Sequence, residues 1–153
     1  MKVRNSVKAI ILDGEKILLT KNQDDEGYFF LCPGGGQDHG ETFYTTLKRE
    51  CIEEIGLNID IQELLHIREY IGKNHEYAEF DFDVHQIEYY FLCQLSRTEN
   101  SIKPTNPDNH QVGVEWVRIE DLLNYRLYPK ELRKYIIGYL NGENSPVYLG
   151  DIN

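Results

Sequence analysis

Cysteine is scarce in this chain. There are three, Cys32, Cys51 and Cys93, an odd number with no pair at metal-ligand or redox spacing. That excludes a disulfide scaffold and a thiolate metal site, and the plain expectation is a reduced, cytoplasmic protein. Long apolar runs are lacking too: near the N-terminus the longest is residues 9–12. A secretory signal core or a membrane span needs far more, so no membrane partner is expected. Basic charge is in deficit, with 16 Lys and Arg against 26 Asp and Glu and a formal net charge of −10. A duplex or long-RNA binder needs a basic patch, so no long nucleic acid is expected as a partner. A small anionic substrate accompanied by a divalent cation stays compatible with such a surface. Internal repeats and low-complexity tracts are absent as well.

What is present suffices for one core. The length of 153 residues suits a single domain, 1–153. Hydrophobic residues make up 41%, and eleven Tyr, six Phe and one Trp are too many for a disordered chain. Residues 7–12 and 17–20 are apolar runs separated by Asp13-Gly14-Glu15-Lys16, a hairpin signal. Residues 28–32 form a third strand, which Pro33-Gly34-Gly35-Gly36 should stop. A helix is predicted over residues 42–55, with Gly56 just past its end. Residues 59–71 read as one or two strands, 86–95 as a buried strand, 98–109 as a loop and 112–117 as a strand. A short helix over 119–123 and a longer one over 129–140 follow, the latter with Pro129 in its first turn. Residues 148–151 form an edge strand or fray. The order predicts an α/β protein of the α+β type, a mixed sheet flanked by helices.

The helix near residue 50 carries the chemistry. Glu50, Glu53 and Glu54 are i, i+3 and i+4 neighbours, so they share one face and their carboxylates should converge. Tyr44, Leu47, Cys51 and Ile55 make the adjacent apolar stripe, expected to face the sheet. Three like charges in the last turns repel one another and oppose the helix dipole. Arg49 supplies one positive charge against them. A hard cation, Mg²⁺ or Mn²⁺, resolves the conflict, because it prefers carboxylate oxygens and shares its shell with substrate phosphates. Upstream, the glycine run lets the backbone approach a ligand closely.

Read together, Gly35, five residues, Glu41, seven residues, then Arg49-Glu50-Cys51-Ile52-Glu53-Glu54-Ile55-Gly56-Leu57 resembles the signature of the Nudix hydrolases over residues 35–57. Every polar and glycine position of that box is filled. Cys51 stands where the family usually has Leu, Ile or Val, a change that keeps a small buried hydrophobe. Seven fixed residues recur by chance on the order of once in a million chains. The resemblance implies an α/β/α sandwich with a mixed sheet between helices, and hydrolysis of a nucleoside diphosphate linked to a further group X. Matched by position, Glu50, Glu53 and Glu54 resemble the metal-binding glutamates, and Gly35 the glycine whose carbonyl joins the metal. Glu41 and Arg49 resemble the pair that braces the box. Weaker likeness extends over the flanking strands and Glu115-Trp116-Val117.

The expected activity is metal-dependent cleavage of a diphosphate linkage in a small nucleotide such as ADP-ribose, a nucleotide sugar or a nucleoside triphosphate, by water attack at phosphorus. The cofactor is Mg²⁺ or Mn²⁺. A box glutamate, or an outer acid from among Asp83, Glu88 and Asp108, takes the proton of the attacking water. The competing expectation is a catalytically weak, nucleotide-binding sensor of the same fold. Such modules often lose box glutamates, and none is lost here. Members of the family are commonly dimers, so a homodimer is one assembly the resemblance allows. Outside the box, Tyr28-Phe29-Phe30 offers rings for base stacking, although aromatics in a strand are usually core. Lys8, Lys21 and Arg68 are cations able to meet phosphate or ribose. His66, His75, His85 and His110 have no ligand spacing. Residues 81–85 read as a polar-aromatic turn.

Overall fold

The computed structural model describes residues 2–96 and 101–153. Strands β1 (Arg4–Asp13) and β2 (Lys16–Asp24) form the expected hairpin, closing at Asp13 opposite Lys16. Strand β3 (Gly27–Leu31) adds antiparallel to β2. The glycine run does more than stop it: residues 34–36 are themselves strand β4, antiparallel to β1 with Gly36 opposite Ser6. The absent side chains explain this, since a Cβ on Gly34 would sit 2.0 Å from the Val7 carbonyl oxygen.

Helix α1 (Phe43–Ile55) begins where Thr42 accepts a hydrogen bond from the Thr45 N–H, and ends at Gly56, whose φ of 70° is left-handed. Leu47, Cys51 and Ile55 are buried as the apolar stripe required, but Tyr44 is half exposed. Phe43, four residues before Leu47, packs on the core instead, its ring 4.3 Å from that of Tyr89. Strand β5 (Ile59–Ile71) is continuous with two register shifts. After a single helical turn, α2 (Ala78–Asp81), strand β6 (His85–Leu95) runs parallel to β1 and antiparallel to β5. Of the loop expected over 98–109, residues 98–100 lie outside those described. Strand β7 (Gln111–Arg118) pairs with β2, and a 3₁₀ turn over Ile119–Asn124 follows. Helix α3 (Leu132–Leu140) starts three residues later than expected. The C-terminal segment is ordered as β8 (Tyr148–Asp151), a parallel edge strand on β5.

Among the described residues, all eight strands belong to one mixed sheet of order β3-β2-β1-β6-β5-β8, with β4 on β1 and β7 on β2. Strand β1 alternates between two cores. Val7, Ala9 and Ile11 pack with Leu47, Cys51 and Ile55 of α1. Ile10 turns to the other face, with Leu132 and Ile136 at α3. Each such buried Leu or Ile contributes roughly 1.5–3 kcal/mol. Helices therefore cover both faces, the α/β/α sandwich that was expected. No helix among the described residues is long and apolar enough to cross a membrane.

Candidate active site

Helix α1 and strand β4 meet at the edge of the sheet. Gly35 lies directly under Glu50: a Cβ there would come within 2.5 Å of the Glu50 carboxyl carbon. Arg49 ties the surrounding loop to the helix. It donates to both oxygens of Glu41, at 2.9 and 2.8 Å, to Glu50 Oε1 at 2.9 Å and to the Gly36 carbonyl at 3.2 Å. Its Nη1 is also 3.5 Å from Glu53 Oε2. Glu41 further accepts from the Asp38 N–H and the Thr46 hydroxyl. The Arg49 guanidinium, with these donors, holds the Glu41 carboxyl down at about 2.

Glu54 differs from its neighbours. It is 3% exposed, and Oε2 has only a long contact, 3.5 Å, from the Gly34 N–H. Oε1 is buried with no partner. Burial, with Asp108 and Glu50 adding repulsion, pushes its carboxyl up to about 8. Glu50 is also shifted up, by burial first, against the pull of Arg49. Gln111 donates to the Glu54 backbone carbonyl at 2.8 Å, and its own Oε1 is a second buried oxygen without a partner. The acidic face is thus partly folded inward. The carboxylates are also less converged than their spacing suggested: no three His, Cys, Asp or Glu among the described residues already form a metal cluster. Arg49 draws Glu50 and Glu53 to itself, while Glu54 turns under β4.

The outer acids separate. Asp108 is exposed, yet close enough to repel both Glu50 and Glu54. Glu88 is buried, accepting from Arg68 Nε at 2.7 Å and from the Tyr90 hydroxyl and Gln86 at 2.6 Å each. Burial alone would raise its carboxyl, but Arg68 and Lys8 prevail and hold it at about 2. Asp83 is exposed on the turn between α2 and β6. Of the three cations, Lys8 is half buried on β1, in the fields of both Glu54 and Glu88. It has no ion pair within 4 Å among the described residues. Lys21 pairs with Glu115 and covers the Tyr28 ring, and Arg68 is buried against Glu88. Of the aromatic run, Tyr28 is exposed, Phe30 is core and Phe29 lines a cavity.

A family model for the NUDIX domain matches residues 2–137. This chain belongs to the NUDIX domain family. An RNA pyrophosphohydrolase of Helicobacter pylori is 30% identical to this Nudix protein over 154 residues, covering 93% of this chain and 96% of that one. The nucleoside triphosphatase NudI of Escherichia coli is 28% identical, covering 83% and 90%. An ADP-ribose pyrophosphatase from Streptococcus suis shares the fold with a TM-score of 0.64, at 21% identity and 97% coverage of both chains. The Nudix protein is a hydrolase of this family. Gln111 and Arg126 escaped the sequence reading: neither lies in a motif, and each acquires its place only through strand pairing or loop packing.

Proposed function

We propose that this Nudix protein, a single domain over 1–153, hydrolyses a phosphoric anhydride bond in a small nucleotide, with Mg²⁺ or Mn²⁺ bound at α1. The observation that carries this is the buried Glu54 Oε1, a carboxylate oxygen of the box without a hydrogen-bond partner. A dry carboxylate oxygen with no donor suits a hard cation, which takes oxygen ligands. Glu50, Glu53, Glu54 and the Gly35 carbonyl are the groups that would hold it. Bound there, it polarises the phosphate and lowers the pKa of water.

The protein's own groups do the remainder. Arg49 and Glu41 keep the loop and the helix in register. Lys8 draws the anionic substrate toward Glu54. Among the outer acids, Asp108 has the position to accept the proton of the attacking water, being exposed and near Glu50 and Glu54. Glu88 is too firmly ionised by Arg68 for that role, and Asp83 has no ion pair with the box among the described residues. The relatives support a nucleotide substrate by their names, which include RNA, nucleoside triphosphate and ADP-ribose. The net charge of −10 disfavours long RNA.

The test is phosphate-coupled turnover of nucleoside triphosphates, ADP-ribose, nucleotide sugars and a short 5′-triphosphorylated RNA, with and without Mg²⁺ or Mn²⁺. Cation-dependent turnover of one small nucleotide is expected, reduced about 100-fold or more by Glu53→Gln and by Glu54→Gln. Unchanged turnover in both variants would sink the assignment. Binding without turnover would favour a ligand sensor.

A further inference from the structure

A ring-lined cavity, walled by Phe29, Tyr77, Phe80 and Tyr128, is one opening beside the sheet. Another, of about 360 Å³, lies where β5 leaves its outer edge uncovered. Strand β8 pairs with β5 from Ile67 onward, and among the described residues the segment before it, 142–146, makes no backbone hydrogen bond to 63–66. Two register shifts flank Leu64, and shifts of this kind bend a strand and re-aim its side chains. The walls include Glu63, Leu64 and His66 of β5, Tyr139 of α3 and Glu143 beyond it. No residue of the glutamate box lines this cavity.

The polar groups of the wall are all acceptors. His66 is 3% exposed. Its Nδ1 lies 2.8 Å from the Pro146 carbonyl, which can only accept, so Nδ1 carries the proton. Burial holds the imidazole below its ordinary 6.5, so the ring is neutral at pH 7 and Nε2 presents a lone pair. That nitrogen has no hydrogen-bond partner among the described residues. The ring is packed against that of Tyr135, 5.3 Å between centres. Glu63 and Glu143 are exposed, and neither has an ion pair within 4 Å among the described residues. Glu143 lies against α3, where a Cβ on Gly138 would come within 2.7 Å of its Oε2. This is the last turn of that helix, whose dipole disfavours a carboxylate and favours a cation. Lys134 of the same helix is engaged over the Tyr135 ring.

Two uncommitted carboxylates and a buried lone pair exclude an anion. A metal ion needs its ligands converged, and no three His, Cys, Asp or Glu among the described residues are so placed. An ammonium group needs acceptors but no fixed coordination shell, and it brings three N–H donors. We propose that this cavity binds a small organic ammonium ion. Its N–H groups donate to His66 Nε2 and to the Glu63 and Glu143 carboxylates, and its apolar part lies on Leu64 and the Tyr139 ring. The site shares no residue with the box, so it is independent of the hydrolase reading.

The experiment is titration of the full chain at pH 7 with butylammonium, butyrate and butanol, read by calorimetry and by the imidazole nitrogen resonances of His66, assigned with His66→Gln. Butylammonium should bind at millimolar concentration and move the His66 Nε2 resonance. Butanol should bind more weakly, and butyrate should leave the resonance in place. Glu143→Gln, at an exposed position, should weaken butylammonium about two- to fivefold, and added salt should weaken it further. Nucleotide turnover should be unchanged in this variant. Equal binding of butyrate or butanol, a His66 resonance unmoved at tens of millimolar butylammonium, or full affinity in a variant carrying both Glu63→Gln and Glu143→Gln would each overturn the proposal.

Discussion

Glu88 and Arg68 are buried together, and each is tolerable only because of the other. Glu88→Gln leaves the guanidinium without its counter-charge, and a loss of about 3–5 kcal/mol at pH 7 is expected in urea unfolding. The pH dependence has a definite sign. The folded Glu88 carboxyl sits at about 2, below its ordinary 4.5. Its contribution is therefore present above about 4.5 and fades as pH falls toward 2, so wild type and variant should converge across that window. A gap that stays constant down to pH 2 would refute the account. Gly35 probes the other charged residue cluster. A Cβ there meets the mobile end of Glu50, not backbone. Gly35→Ala should leave the unfolding midpoint nearly unchanged while displacing a carboxylate of the site, with turnover reduced about tenfold or more. Equal activity would show that Glu50 has no fixed place in the reaction.

At the scale of elements, α1 depends on what closes its C-terminal end. Loop residues answer its last carbonyls: the Lys103 N–H reaches Ile55 O at 3.1 Å, and the Thr105 and Asn106 N–H groups reach Glu53 O at 3.0 and 2.9 Å. Gly56 permits this in two ways. Its φ is 70°, and a Cβ would lie 1.9 Å from the Lys103 carbonyl oxygen. Gly56→Ala should destabilise by about 1–3 kcal/mol in chemical denaturation, from backbone strain and the displaced loop. Because that loop leads to Asp108 and Gln111, turnover should fall with it. Undiminished stability would mean that the loop moves aside freely. The predicted boundaries of α1 were readable because Thr42 and Gly56 act locally. The late start of α3 was not, since only tertiary packing selects which turn after Pro129 joins the helix.

For the whole molecule, a cation held at Glu54, as proposed, would be linked to folding. A divalent ion at 100 times its dissociation constant should stabilise wild type by about 2.7 kcal/mol. Thermal melts with and without Mg²⁺ should show a rise of several degrees in wild type, and little or none in Glu54→Gln. An equal rise in both would remove Glu54 from the ion's shell. The C-terminal strand β8 is bound to the rest at Asp151, which accepts from the Ile71 N–H and Asn74 at 2.9 Å each and contacts His75 at 2.6 Å. It places Asn153 in the wall of the ring-lined cavity, 85 positions along the chain from Arg68.

The sequence by itself determined the hairpin, the glutamate helix with the glycine past its end, the mixed sheet between helices and the Nudix resemblance. Each is written in short-range spacing: Asp-Gly between apolar runs, three glutamates within one helical turn, glycines before them. The tertiary structure alone decided which charges are buried and which groups face each other. Glu54 is sequestered because β4 lies over it, Glu88 is held ionised because β5 brings Arg68 across, and Phe29, Phe80 and Tyr128 share a cavity because α2 and the 126–128 segment fold onto β3. No local pattern encodes these meetings. They follow from strand order and from burial, which set pKa values and exposures that neighbouring residues in the chain do not control.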